Sequence, residues 1–171
     1  DIQGCEDPIE RFRDLLDGAI TSGRAHIAGL NGREPVTPTA MGWRKVGMDW
    51  QPLGRCIGWE DGNGGLYLEP EASFAAVQEM GTASGEGLGL SSTTLRKRLH
   101  ERGLLYSIEE HGKRHLAARR TVGGRRRRVL HVVNLLALSN VGGPSGPNGA
   151  DPAKKADEPR IFVENERDIP E

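Results

Sequence analysis

Ile9, Phe12, Leu15, Leu16, Ala19 and Ile20 recur at three- and four-residue spacing, which predicts an amphipathic helix. Asp7-Pro8-Ile9-Glu10 marks its start. Asp7 caps, Pro8 suits the first helical position, and Glu10 completes a capping box. Gly23 is the expected stop. From Asn31 to Pro52 the periodicity fades, and Pro35, Pro38 and several glycines predict a long loop. Trp43 and Trp50 within it are expected to anchor the loop on the core rather than to form a ligand cage.

Arg55–Trp59 and Leu66–Leu68 read as short strands joined by the turn-rich run Glu60–Gly65, a β-hairpin. Glu69-Pro70-Glu71 opens a second helix with Phe74, Val77 and Met80 on its buried side, and Gly81–Gly89 is its glycine-rich exit. Ser91 or Ser92 caps a third helix, with Leu95 and Leu99 on the inner face and Gly103 as its end. Leu90 is placed to staple onto Leu95. Three extended segments follow: Leu104–Ile108, His115–Val122 and Arg126–Val133. The last two enclose Gly123-Gly124, so they form a hairpin with an arginine-rich tip and returning strand. Alternation along that strand splits Arg125–Arg128 between two faces. Beyond Ser139 the chain is rich in Gly and Pro and then mixed in charge, which predicts a disordered tail with Ile161–Val163 as its one apolar island.

The 24 glycines and 10 prolines are about 20% of the 171 residues, against roughly 12% in average usage. The ordered core is therefore smaller than the length suggests. No apolar run approaches the roughly 18 residues of a membrane span, and no basic-then-apolar start suggests a secretory signal. Asp1 in place of an initiator Met leads us to expect a segment of a longer protein, and the chain reads as cytoplasmic. Cys5 and Cys56 stand far apart with no CxxC, which fits a reducing compartment.

The net charge of −1 hides an asymmetry. Between Thr94 and His131 stand twelve basic residues against Glu101, Glu109 and Glu110, a local charge of +9, whereas the rest of the chain carries −10. A basic block inside an acidic chain points to a polyanionic partner. The alternative is a solvated face balanced in space by the acidic remainder. Four consecutive arginines, Arg125, Arg126, Arg127 and Arg128, repel one another in the absence of an anion, which favours the polyanion. His111 and His115 have the spacing of a helical zinc pair, but Gly112 between them reads as a turn and no Cys joins them. No cofactor or metal is expected. No Gly-Lys-Ser/Thr follows the Gly62–Gly65 run, so it is not a phosphate loop. The carboxylate pairs Glu109/Glu110 and Glu69/Glu71 come without a nucleophile or metal set, so no catalysis is expected.

The order helix, hairpin, helix, helix, basic hairpin is that of an α+β winged helix-turn-helix of three helices plus β-hairpins. Residues 1–52 are read as its N-terminal helix and Trp-containing loop, 53–137 as the hairpin, helix-turn-helix and basic wing, and 138–171 as the tail. The third helix presents Ser91, Ser92 and Thr93 at its N-terminus, where hydroxyls and free backbone N–H groups suit a phosphate. Arg96, Lys97 and His100 lie on its outer face, and Arg96 and Lys97 are candidates for guanine edges or phosphates. The wing arginines Arg125–Arg128 suit backbone or minor-groove contact. DNA, double- or single-stranded, is the expected partner, and no membrane is expected.

Four stretches carry a family resemblance: Ile57-Gly-Trp-Glu-Asp-Gly; Leu66-Tyr-Leu-Glu-Pro-Glu-Ala; Ser91-Ser-Thr-Thr-Leu-Arg-Lys-Arg-Leu-His-Glu-Arg-Gly-Leu-Leu; and Arg119-Arg-Thr-Val-Gly-Gly-Arg-Arg-Arg-Arg-Val-Leu-His. Arg11-Phe-Arg-Asp-Leu-Leu and Ser22-Gly-Arg-Ala-His fit the same pattern. Residues 7 to 135 thus resemble the C-terminal region of phage- and mobile-element-type bacterial replication proteins, the primase-polymerase and helicase-like ATPase chains. The resemblance implies a winged-helix-like end attached to an upstream ATPase or primase domain, one that binds nucleic acid or positions the motor and hydrolyses nothing itself. Two other functions fit the same fold. A winged-helix transcriptional regulator would need a dimerisation or effector element, and only a tail follows Val133. A protein-docking module would show an apolar, patchy surface, whereas the exposed surface expected here is basic.

Overall fold

The computed structural model describes residues 7–133, 135 and 136, and the expected disordered tail at 138–171, with Ile161–Val163, lies outside the described residues. Helix α1 spans Pro8–Thr21, and the Asp7 side chain accepts from the Ile9 N–H as its cap. In place of the expected capping box, Glu10 pairs with Arg13 at 2.9 Å. The buried stripe of α1 is the set Ile9, Phe12, Leu15, Leu16, Ala19 and Ile20, and it packs on α2, Pro70–Ser84. Glu69 caps α2, and Gly85 ends it at φ +78°. The helix therefore takes up the first residues of the stretch expected to be a glycine-rich connection. Helix α3, Ser92–Glu101, is capped by Ser91 and buries Leu95 and Leu99. Each leucine contributes about 1.5–3 kcal/mol of burial.

The strands are β1 (Ala25–Gly29), β2 (Trp43–Val46), β3 (Asp49–Pro52), β4 (Arg55–Glu60), β5 (Gly65–Leu68), β6 (Ile108–Glu110), β7 (Lys113–His115), β8 (Ala118–Val122) and β9 (Arg125–Val133). Five of them form a sheet in the order β1-β4-β5-β9-β8, in which β1 is parallel to β4 and the other neighbours are antiparallel. β2–β3 and β6–β7 are separate hairpins.

Several expectations are corrected. The region 31–52 is not one long loop, because β2 and β3 pair across it from Trp43↔Pro52 to Val46↔Asp49. β1 was not expected at all: its five residues, four of them buried, are too short to show a period. The expected strand Leu104–Ile108 is reduced to a single bridge, Leu105↔Val132, and β6 begins only at Ile108. The expected strand His115–Val122 is two strands, because β7 ends at His115 and β8 starts at Ala118. In the β8–β9 hairpin, the tip itself is Gly123-Gly124, at φ +55° and +73°. Two left-handed residues in succession suit a tight hairpin turn, so the four arginines all lie within the strand.

One face of the sheet packs on the helices. Ile27, Ile57, Leu66, Leu68, Leu130 and Val132 meet the apolar faces of α1, α2 and α3 there. The other face carries a second core of Ala28, Trp43, Trp59, Tyr67, Val122 and Val129. Ile57 and Trp59, two residues apart, serve opposite cores, because the β1–β4 register shifts by one residue between His26 and Ile27. Gly58, at the shift, leaves no room for a side chain: a Cβ there would lie 2.8 Å from the Tyr67 carbonyl oxygen.

The tryptophans act as anchors. Trp43 is buried and donates its Nε1–H to the Ile27 carbonyl at 2.8 Å, satisfying an acceptor on the edge strand β1. Trp50 packs against the second core. The Gly123 N–H donates to the Leu30 carbonyl at 2.9 Å, so the β8–β9 tip rests against the chain just beyond β1, at the opposite edge of the sheet. The sheet curls around the second core, and the β8–β9 hairpin is docked rather than projecting.

Candidate nucleic-acid interface

The third helix offers fewer free groups than its sequence suggests. Ser91 Oγ accepts from the Thr94 N–H at 3.2 Å and shares a hydrogen bond with Thr94 Oγ1 at 2.9 Å. Arg96 is partly buried, donates to Ser92 Oγ at 2.9 Å, and lies 3.4 Å from the Glu71 carboxylate of α2. Thus Ser91, Ser92 and Arg96 are engaged within the fold, tying α3 to α2. Thr93 and Lys97 are exposed, and Lys97 reaches Glu101 only at the 4.0 Å limit of an ion pair. His100 is half-buried. Arg102, in contact with Asp7, ties α3 to the start of α1.

The β8–β9 hairpin is different. Its register places Arg119 opposite Arg128 and Arg120 opposite Arg127, with Val122 opposite Arg125 and Thr121 opposite Arg126. Like charges directly across an antiparallel pair are destabilising. All six arginines are exposed, and among the described residues none is in an ion pair. Neither Arg119 nor Arg120 is matched by Glu109 or Glu110, which stand opposite Arg114 and Lys113 in β6–β7. Alternation sorts the arginines of this hairpin into two sets. Arg126 and Arg128 share the face of Leu130 and Val132 with Arg119, and Arg125 and Arg127 share the face of Val129 and His131 with Arg120.

The second set lies with aromatic rings that the candidate residues from sequence did not include. β4, β5 and β9 bring Trp59, Tyr67 and His131 into one row across the sheet. The Arg127 guanidinium sits 5.4 Å from the Trp59 ring centre, and that of Arg120 sits 6.0 Å from the Tyr67 ring centre. These distances fall in the cation–π range. Tyr67 and His131 stack at 4.4 Å and 19°, and Tyr106 lies on His131 at 4.5 Å and 41°. Burial pushes the His131 imidazole below its ordinary pKa, nearby Arg120 adds to the effect, and Asp61 opposes it. The only sequence signal for this row was an aromatic residue in each of two short strands; the pairing of β5 with β9 decided which rings meet.

Compared with models of known protein families, with curated proteins and with solved structures, the chain gives no match. The interface is therefore read from its own chemistry. Hydrogen-bond donors and positive charge dominate it, aromatic rings lie among them, and the Asp61 carboxylate beside the rings accepts from the Asn63 and Gly65 N–H groups of its own turn. Such a surface suits phosphates and base faces. His111 and His115 sit in the β6–β7 turn and at the end of β7, not on a helix. Among the described residues no helix is long and apolar enough to cross a membrane.

Proposed function

We propose that this chain is a non-catalytic nucleic-acid-binding domain of winged-helix type, belonging to a DNA replication protein and positioning its upstream ATPase or primase domain on DNA. One observation carries the nucleic-acid reading: two pairs of arginines, Arg119↔Arg128 and Arg120↔Arg127, face each other directly, with no carboxylate in ion-pair contact among the described residues. Folding places like charges together here at a cost, and a row of phosphates would remove that cost. The winged-helix reading is supported by chain order and sheet order together. A helix, a strand, two helices and a hairpin follow one another, and the strand before the helix pair, β5, pairs with the returning wing strand β9 in the order β5-β9-β8. β1, β4 and the β2–β3 and β6–β7 hairpins are additions to that plan. The replication context rests on the sequence resemblance of residues 7 to 135.

Lys97, Thr93, Arg126 and Arg128 are the groups best presented to a duplex, since Ser91, Ser92 and Arg96 already have partners in the fold. The test is the salt dependence of duplex binding measured by fluorescence anisotropy. Each phosphate contact contributes about −0.9 to the slope of log K against log salt. Replacing Arg126 and Arg128 together with alanine is expected to flatten the slope by about 2 and to weaken binding on all sequences alike. An unchanged slope would remove the wing from the interface.

A further inference from the structure

A groove of about 550 Å³ opens beside the aromatic row, lined by Tyr106, His131, Arg120, the Asp61–Gly65 turn and the start of β6. We infer that it is a stacking site for an unpaired nucleobase of a single strand, with Arg120 meeting the adjoining phosphate; this rests on the nucleic-acid reading above and specifies the form of ligand one part of that surface takes.

The backbone fixes the order of the rings. β5 occupies one side of β9 through Leu130–Val133, so the segment around Leu105, which bridges to Val132, must lie on the other side. The Tyr106 N–H donates to the His131 carbonyl at 2.9 Å, which holds that segment in place. Tyr67, His131 and Tyr106 therefore form a run of three rings, and the run ends on Tyr106, which is 54% exposed. The other members are covered: Tyr67 is 9% exposed and His131 is half-buried. A large aromatic ring left open at the end of a stack, beside a groove, is the feature that a flat π-system completes. Bases stack on such rings regardless of sequence, because every base has a π-face.

The charges around the groove fit a nucleotide rather than a purely apolar ligand. Arg120 supplies a donor fork with no carboxylate in ion-pair contact among the described residues. Asp61 Oδ1 is taken by two backbone N–H groups, from Asn63 at 2.8 Å and Gly65 at 3.0 Å. Its second oxygen accepts no hydrogen bond within the described residues, and it suits a base's ring or exocyclic N–H. A base within a duplex has both faces covered by its neighbours and its ring N–H engaged in pairing, whereas an unpaired one offers both a face to Tyr106 and a ring N–H to Asp61.

The test compares labelled oligothymidylate of about 12 nucleotides, within the usual span of a single-strand site, with a blunt-ended duplex. Both are titrated into the full chain and into the variants Tyr106→Leu and Tyr106→Phe. Tyr106→Leu keeps apolar volume but removes the ring. It is expected to weaken oligothymidylate binding by about 5- to 150-fold, the loss of one stacked base, with duplex binding and its salt slope unchanged. Tyr106→Phe is expected to retain wild-type affinity for both. Equal loss on duplex and single strand, or no loss on either, overturns the inference while leaving the proposed function in place. Absence of binding to either nucleic acid in the unmodified chain overturns both. Thymidine 5′-monophosphate alone forms the third arm: no measurable binding agrees with a strand site, whereas saturation as tight as the oligonucleotide's would reassign the groove to a free nucleotide.

Discussion

His131 lies on β9 at the edge of the groove, among rings and charges that set its ionisation. Its ring stacks between Tyr67 and Tyr106, and burial and Arg120 lower its pKa against the pull of Asp61. A histidine whose folded pKa lies below its unfolded value takes up a proton more readily when unfolded. Its stabilising contribution is therefore complete above the unfolded value, near 6.5, and is lost as pH falls through the folded value. The midpoint of urea unfolding is expected to drop between pH 7 and pH 5. In a His131→Phe variant, which keeps a stacking ring but cannot titrate, that drop is expected to be smaller. Equal pH profiles for the two proteins would show that His131 does not titrate differently on folding. Arg96 makes the same point about context. Its sequence position on the outer face of a basic helix suggests DNA, but the fold gives it Ser92 and Glu71 first.

At the scale of the element, α3 is built to be held and presented. Leu95 and Leu99 fasten it below, and Arg96 and Arg102 fasten it at either end to α2 and α1. Lys97 and Thr93 are left outward. Its N-terminus exposes backbone N–H groups whose dipole favours an anion. Ser91→Asp separates capping from anion binding. Asp caps as well as Ser, so thermal stability is expected to change by less than about 0.5 kcal/mol. If a phosphate sits at that N-terminus, the added negative charge lowers duplex affinity by about tenfold, from a repulsion of about 1–1.5 kcal/mol. Anisotropy and thermal melts on the same preparation read both quantities, and unaltered affinity would place the phosphate elsewhere. The β8–β9 hairpin is the complementary element: its two-glycine turn permits tight closure, and its tip is tied to Leu30. The arginines are thus held on a fixed strand, which lowers the entropy lost when they meet a ligand.

For the molecule as a whole, the N-terminal third is structural to the site it lies far from in sequence. β1 is parallel to β4, from Ala25↔Arg55 to Gly29↔Glu60, and α1 covers α2. Removing residues 1–52 would expose the edge of β4 and uncover Ile57 and Val77, both fully buried. A fragment of residues 53–137 is therefore expected to lose its cooperative thermal transition in circular dichroism together with the salt-dependent DNA binding proposed for the chain. A sharp transition in that fragment would mean that the helix pair and the β8–β9 hairpin fold alone. The charge asymmetry also acts at this scale. The +9 stretch from Thr94 to His131 is concentrated on α3 and the β6–β7 and β8–β9 hairpins, so a near-neutral chain presents a positive region.

The three helices were legible in the sequence because each carries its own period, start and stop: Asp7-Pro8, Glu69-Pro70 and Ser91 set the starts that the structure shows. The β4–β5 and β8–β9 hairpins were legible for the same reason, since turn residues separate short apolar or basic runs at close range. So was the basic block, because charge is a property of composition. The order of the sheet was not legible. β1 and β5 are separated from their partners β4 and β9 by 25 residues or more of chain, and strands of four or five residues are too short to declare a partner by pattern. Tertiary pairing alone decided that Arg119 faces Arg128, that Arg120 and Arg127 lie over rings, and that Tyr67, His131 and Tyr106 stack beside a groove. Local chemistry sets which elements form; cross-strand register, which no local signal encodes, sets which side chains meet.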